Sequence, residues 1–308
     1  MLLTQFPDIS MVRRLRNESS KPADKWMNVA LNVKCRQVSR TGVESPYSLF
    51  LNRKGFSYCT VNKQMYRVET DTFLLTQPGD IYDLVIDNTG QTEICNIHIN
   101  REFFNNALYA ISTTSPQLLN NPENKDYEHP LFTQLQTKDD TINRLVTRIV
   151  NQQPADANEF ELILIEIINH LALSNDRIKA SINTLPFLKA SVRQDIYKRL
   201  SSARDHIYST YDTSTDLDEI CREAGMSKFH FLRMFKSLYG ITPYQYFTDV
   251  RMKKAAELLK TSQLSVNEIA AHVGFEYPNS LIKAFQKTYG QAPLQYRHGQ
   301  SRANSNIG

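Results

Sequence analysis

The order of apolar and polar positions changes character along the chain. From Trp26 to Asn100 it alternates with a period of two. The runs Asn28 to Arg36, Tyr47 to Leu51, Phe56 to Val61, Gln64 to Glu69, Asp71 to Thr76, Ile81 to Ile86 and Glu93 to Ile99 predict strands. Lys54-Gly55, Val61-Asn62-Lys63, Gln77-Pro78-Gly79-Asp80 and Asn88-Thr89-Gly90 supply the turns between them. That is the rhythm of a small β-barrel or sandwich. After Arg101 the period lengthens, and Thr141 to Asn151 and Asn158 to Ser174 predict amphipathic helices. The second helix is apolar around most of its girth, through Phe160, Leu162, Ile163, Ile165, Ile167, Ile168 and Leu171. Such a helix must be covered on more than one side, by its own barrel or by a second subunit. Residues 158–174 are therefore also the candidate homodimer element. Asn175 to Pro186 is polar and loses its periodicity, which reads as a linker, and Ser191 to Gly299 reads throughout as helix and turn.

At 308 residues the chain is long enough for two domains, and 41% hydrophobic with 22% charged residues excludes a disordered, collagenous or membrane-embedded protein. The reading is α+β, with a strand-rich domain over residues 1–175, a linker over 176–187 and an all-helical domain over 188–308. Charge sharpens this division. Before Leu188 there are 19 Lys+Arg against 21 Asp+Glu, a net −2; from Leu188 onward there are 17 against 11, a net +6. A basic C-terminal third is the asymmetry expected of a domain that meets a polyanion, and it also arises by chance. Cys35, Cys59, Cys95 and Cys221 form no CxxC pair, which points to reduced thiols in a cytoplasm. Arg13, Arg14 and Arg16 are followed by no apolar stretch, and no uncharged run reaches the roughly 18 residues that span a bilayer, so a cytoplasmic protein without a membrane anchor is expected.

The C-terminal part repeats itself. Glu219-Ile220 and Gly225 recur 49 positions later as Glu268-Ile269 and Gly274; Phe235, Tyr239, Gly240, Pro243, Gln245 and Tyr246 recur 50 positions later as Phe285, Tyr289, Gly290, Pro293, Gln295 and Tyr296. The offset changes by one residue within a turn, where a duplicated unit tolerates insertion. Each copy runs short helix, glycine, apolar residue, second helix, which is the grammar of a helix-turn-helix. The first spans 217–238, with Leu217 to Ala224 supporting, Gly225-Met226-Ser227 turning and Lys228 to Leu238 reading. The second spans 266–288, with Val266 to Val273 supporting and Pro278 to Thr288 reading. Glycine suits the left-handed residue that ends the supporting helix, Ser227 can cap the next, and Pro278 costs nothing at a first helical position. A linker helix over 243–259 joins the copies. At about 1.5 Å per residue it is roughly 25 Å long, which suits two reading helices in adjacent major grooves on one side of a duplex.

Gly225-Met226-Ser227-Lys228-Phe229-His230-Phe231-Leu232-Arg233-Met234-Phe235-Lys236, Gly240 to Tyr246, Ile269 to Phe275 and Phe285 to Arg297 together resemble the signature of the AraC/XylS family of transcriptional regulators. The resemblance covers Ser191 to Arg297. It implies sequence-specific binding of double-stranded DNA and, usually, activation through RNA polymerase. Carried onto this chain, it assigns DNA contacts to Lys228, Phe229, His230, Leu232, Arg233 and Lys236 in the first unit and to Tyr277, Pro278, Asn279, Ser280 and Lys283 in the second. Arg233 suits guanine O6/N7, Phe229 a thymine methyl, Asn279 adenine, and Lys228 and Lys236 phosphates. Leu217, Ile220, Ala224, Met226, Leu238 and their repeats are the expected core. The second copy departs from the family at Leu281, where an aromatic is common, and at Lys283, where arginine is usual. A point charge does not replace a bidentate fork, so the second unit is expected to discriminate bases less.

The N-terminal strands, with the Gln77-Pro78-Gly79-Asp80 turn, look like the cupin-type sensor domain that often precedes this DNA-binding domain. Metal-dependent cupins gather several histidines and a glutamate, yet His98 is the one histidine between Trp26 and Asn100, so no metal or other cofactor is expected. Tyr47, Phe56, Tyr58, Tyr66, Phe73 and Tyr82 are candidate walls of a small-molecule effector cavity, with plain barrel filling as the alternative. No phosphate loop, nucleophile elbow or HExxH occurs, and no catalytic residue is assigned. A ligand-responsive regulator is thus favoured over an effectorless regulator controlled by a partner protein, and over a cupin-type enzyme fused to a DNA-targeting module.

Overall fold

A computed structural model describes residues 1–5, 27–113, 131–187, 189–213 and 216–305. Trp26, Leu188 and the arginines at 13, 14 and 16 lie outside the described residues. The chain divides into two compact units, Met1–Thr184 and Leu185–Gly308.

The first unit is built on β1 (Leu2–Leu3), β2 (Val29–Glu44), β3 (Tyr47–Lys54), β4 (Ser57–Val61), β5 (Gln64–Val68), β6 (Thr72–Thr76), β7 (Ile81–Ile99) and β8 (Gln134–Thr137). The main path runs β1-β2-β7-β3-β6-β8, with the β4–β5 hairpin attached through β4 to β7. Every pairing except β1–β2 is antiparallel, and the sheet curls into a nearly closed barrel. The two strands expected over Ile81 to Ile86 and Glu93 to Ile99 are one. Cys35 faces Thr92 and Gln37 faces Asp87, so Asn88 to Gln91 oppose Arg36 alone in a bulge rather than closing a turn. Asn88 Nδ2 pins the bulge by donating to the Phe56 carbonyl (2.7 Å) and to Thr92 Oγ1 (2.6 Å). Gly55, at φ +71°, makes room for it, since a Cβ there would stand 2.7 Å from Thr92 Oγ1. β2 likewise continues past Arg36 to Glu44, with side chains largely outside the core.

Helices α1 (Arg101–Ser112), α2 (Asp140–Thr147), one turn of π-helix (Arg148–Gln152) and α3 (Ala157–Asn183) complete this unit. Asn100, Asp139 and Asp156 cap the three α-helices by accepting from the amides of Phe103, Ile142 and Glu159. α3 runs through most of the stretch expected to be a linker, with Asn175 and Ile182 buried along an otherwise polar end. The connection between regular elements shrinks to the residues between Asn183 and Ala190. The apolar girth of α3 is spent within its own unit. Phe160, Ile163, Ile167 and Leu171 pack with Phe104 and Leu108 of α1 on the sheet face made by Tyr47, Leu49, Leu51, Phe73, Leu75 and Ile97. At about 2 kcal/mol for each fully buried large side chain, this is the main cohesion of the unit. Leu162 and Leu173 stay exposed, at 59% and 53%.

The inner face carries Val29, Leu31, Val33, Ile86 and Ile94. Strand register adds Ser48, Phe50, Asn52, Asn96 and His98 to it. A polar chain crosses this face: Ser45 Oγ lies 2.6 Å from Thr76 Oγ1 and 2.9 Å from Ser48 Oγ, which lies 2.8 Å from His98 Nδ1. Burial holds the His98 imidazole down at about 4, so it is neutral at physiological pH.

The second unit is all helix: α4 (Ala190–Ser209), α5 (Leu217–Glu223), α6 (Lys228–Tyr239), α7 (Pro243–Thr261), α8 (Val266–His272), α9 (Pro278–Tyr289) and α10 (Pro293–Ser305). α4 packs on α5, α6 and α7; α7 packs in turn on α8, α9 and α10. Met252, Ala255, Ala256 and Leu259 of α7 share a core with Ile269, Ala270, Val273, Leu281 and Phe285. On the other side Phe235 meets Phe231 at 5.6 Å and Tyr246 at 6.0 Å between ring centres. Of the expected core positions Ile220 and Ala224 are buried, while Leu217, Met226 and Leu238 are only half-buried. Among the described residues no helix of either unit is long and apolar enough to cross a membrane.

Candidate nucleic-acid interface

Both turns form for local reasons. Gly225 and Gly274 take φ of +61° and +76°, the left-handed backbone in which a β-carbon is strained. Ser227 opens α6 by accepting from the His230 amide at 3.4 Å. α9 opens on Tyr277 with no side-chain cap, and Pro278 removes one amide that would otherwise need a partner. The helices after each reading helix begin alike: Thr242 and Gln245 form a reciprocal capping box on α7, and Gln245 recurs as Gln295, whose Oε1 accepts from the Ala292 amide at 3.2 Å. α8 starts on a second capping box, in which Ser265 N donates to Glu268 Oε2 (2.7 Å) and Glu268 N to Ser265 Oγ (3.3 Å). Those bonds hold the Glu268 carboxyl below the usual range.

On α6 the buried side is Phe231, Met234 and Phe235, which leaves Lys228, Phe229, Arg233 and Lys236 outward. Phe229 is 77% exposed, an unusual position for a phenylalanine. On α9 the buried side is Leu281 and Phe285, and Asn279, Ser280 and Lys283 face solvent beside Tyr277 at 61%. Arg233, Lys236 and Lys283 meet no carboxylate among the described residues. Four assigned residues sit differently. Lys228 Nζ is paired with Asp218 at 2.8 Å, an exposed contact that raises its pKa through the hydrogen bond and the charge. His230 is half-buried and its ring meets Phe187 edge-on at 6.3 Å. Leu232 and Pro278 are half-buried as well.

Sequence reasoning missed the arginines that tie these elements together. Arg199 of α4 lies against Gly225, with Nη1 3.4 Å from the Ala224 and Gly225 carbonyls. Arg251 of α7 donates to the Tyr211 and Thr213 carbonyls at 2.7 and 2.9 Å. Arg297 of α10 donates to the Leu259 and Leu264 carbonyls at 3.3 and 2.6 Å. No sequence signal marks them, because their partners are backbone carbonyls.

The six aromatic residues proposed for an effector cavity do not gather. Tyr47 and Phe73 face the helices, with the Tyr47 ring stacked on Phe104 at 3.8 Å. Phe56 and Tyr58 meet edge-on at 5.5 Å, with the Arg67 guanidinium over the Phe56 ring at 4.4 Å. Tyr82 packs edge-on to Phe50 at 4.8 Å, and register puts Tyr66, opposite Cys59 and hence level with Leu84, on that same inner face. No group of three or more His, Cys, Asp or Glu side chains among the described residues could hold a metal ion.

Two helix-turn-helix units, each with an exposed reading helix carrying cations and aromatics, define a DNA-binding protein. Residues 220–299 match the family model described as a helix-turn-helix domain. The multiple antibiotic resistance protein MarA of Salmonella typhimurium is 31% identical over 107 residues, which is 33% of this chain and 84% of that one. An uncharacterized HTH-type transcriptional regulator of Haemophilus influenzae is 26% identical over 294 residues, 88% of this chain and 94% of that one. Other relatives are matched over about a third of their length. The crystallised DNA-binding domain of AdpA, in complex with a target DNA, is 32% identical and 97% covered, over 37% of this chain, with a TM-score of 0.31. The chain belongs to the AraC family of transcriptional regulators.

Proposed function

We propose that this regulator reads two half-sites with one polypeptide, α6 entering one major groove and α9 the next, and that it activates transcription through RNA polymerase in response to a small molecule. The observation that carries the first part is the duplication itself. Phe229, Arg233 and Lys236 on α6 recur in position as Asn279, Lys283 and Gln286 on α9, each set outward from a core shared through α7. Arg233 supplies a fork for guanine and Lys236 a phosphate contact, while Asn279 reads adenine. Genome-wide footprinting of the bound protein tests this: protected sites should hold two elements about one helical turn apart, and sites with a single element would refute it.

The effector reading rests on the inner face of the barrel, where Tyr66 and Tyr82 join the polar residues Ser48, Asn52 and His98. Asn52 Oδ1 is buried there without a hydrogen-bond partner among the described residues, a cost that a donor on a ligand would remove. Thermal-shift screening of the whole protein with small metabolites separates this reading from the effectorless one. Self-association through 158–174 rests on Leu162 and Leu173, and a monomer in sedimentation at micromolar concentration would dismiss it.

A further inference from the structure

The two reading helices can act together only if the angle between their units is fixed, and one side chain stands where that angle is set. Arg251 lies midway along α7, the helix both units share. Its Nε donates to the Tyr211 carbonyl and its Nη2 to the Thr213 carbonyl, in the segment that leads from α4 towards the first helix-turn-helix. Its guanidinium covers the Phe247 ring, one turn back on α7, at 4.0 Å, and approaches the Phe275 ring, in the turn of the second helix-turn-helix, at 5.2 Å. Gly274, beside Phe275, is pressed against the same place: a Cβ there would lie 2.6 Å from Arg251 Nη2 and 2.7 Å from the Asp212 carbonyl group. Three pieces of chain therefore meet at one planar cation: the approach to the first unit, the shared helix and the turn of the second unit.

We propose that Arg251 is a positioning residue that locks the relative orientation of the two helix-turn-helix units and so sets the spacing between half-sites that the protein accepts. It touches no DNA in this role; it acts through the backbone at Tyr211 to Thr213 and through the Gly274-Phe275 turn. The planar fork is what the job needs, because two carbonyls and two ring faces must be held at once, and a lysine ammonium offers neither the plane nor the fixed pair of donors. Arg297 of α10 makes a comparable pair of carbonyl contacts, but both lie within the second bundle, at Leu259 and Leu264.

This inference rests on the proposed reading of two half-sites, and the experiment separates the two. The full-length protein first selects its site from a pool of randomised duplexes. Affinities are then measured for that duplex, for the same duplex with one element scrambled, and for duplexes with one base pair inserted or removed between the elements. Arg251→Lys should bind the selected duplex about tenfold more weakly, leave the scrambled duplex within about twofold, and flatten the penalty for altered spacing, as loss of a fixed linkage requires. Phe275→Leu, which keeps both carbonyl bonds, should move the same ratio less far. Both variants are compared with wild type below the onset of melting seen by circular dichroism. If wild type binds the selected and the scrambled duplex equally, the two-half-site reading itself fails. If wild type needs both elements but Arg251→Lys weakens both duplexes by one factor, or changes neither, with the spacing preference intact, the positioning role is refuted.

Discussion

Four glycines in the second unit share a backbone conformation but not their surroundings, and this separates two sources of destabilisation. Gly225, Gly240, Gly274 and Gly290 have φ of +61°, +75°, +76° and +72°. Alanine at any of them meets the left-handed strain of about 1 kcal/mol. At Gly240 and Gly290 nothing lies within 4 Å of the added Cβ, so that strain is the whole effect. At Gly225 the nearest atom is Arg199 Nη1 at 2.7 Å, the far end of a flexible side chain that can swing away and forfeit only its long carbonyl contacts. At Gly274 the obstacle at 2.7 Å is the Asp212 backbone, which has to move as a peptide. Overpacking of that kind adds about 1–3 kcal/mol, for a total near 3 kcal/mol. For a unit of this size about 4 °C accompanies each kcal/mol, so calorimetry of the intact chain should show one transition falling by about 4 °C in Gly240→Ala and by about 12 °C in Gly274→Ala. Equal shifts in these two variants would mean that the close contact of the second turn with the Asp212 backbone is not present in solution.

Operator binding should be more selective for guanine at the Arg233 position than at the Lys283 position; a greater loss of base discrimination in Lys283→Ala than in Arg233→Ala, measured by competition with substituted duplexes, would reverse the assignment. His98 makes the first unit acid-sensitive. Its imidazole is held at about 4 by burial, below the ordinary 6.5, so as pH falls the unfolded chain takes up the proton first. Stability is then full above about pH 6.5 and declines towards pH 4 by on the order of 3 kcal/mol, and His98→Gln should flatten that limb in urea titrations. The two copies also differ in a tyrosine: Tyr289 Oη donates to the Met252 carbonyl at 3.4 Å, whereas Tyr239 Oη is buried without a hydrogen-bond partner among the described residues. Tyr239→Phe should therefore be neutral or stabilising by up to about 1 kcal/mol, while Tyr289→Phe costs up to about 1 kcal/mol in the same melts.

The second unit was legible because its signals are local. Helix periods, the glycines at the turns, Ser227 and Pro278 each act within a few residues, and duplication wrote them twice. The first unit was legible only where its own pattern decided the outcome. Asn88-Thr89-Gly90 has the composition of a turn, yet pairing on both edges of β7 carries the strand through it, and only the partner strands could reveal that. Gln37 to Glu44 escaped notice because a strand exposed on both faces has no alternation to display. The polar end of α3 looked like a linker for the same reason. Aromatic residues were counted as one cavity because their type was visible and their side of the sheet was not: Tyr47 and Tyr82 face opposite ways. The arginine contacts were hidden for another reason, since a backbone carbonyl leaves no mark on the sequence.

The shared helix α7 has a consequence for how this unit could be cut or copied. Its N-terminal half completes the first bundle through Tyr246 and Val250, and its C-terminal half fills the second through Met252 to Leu259. A fragment ending after the first repeat would carry a bare greasy flank, and one beginning at the second would lack its central post. Duplication thus produced a keystone rather than beads on a string: the two halves must fold, persist and be inherited as a single piece.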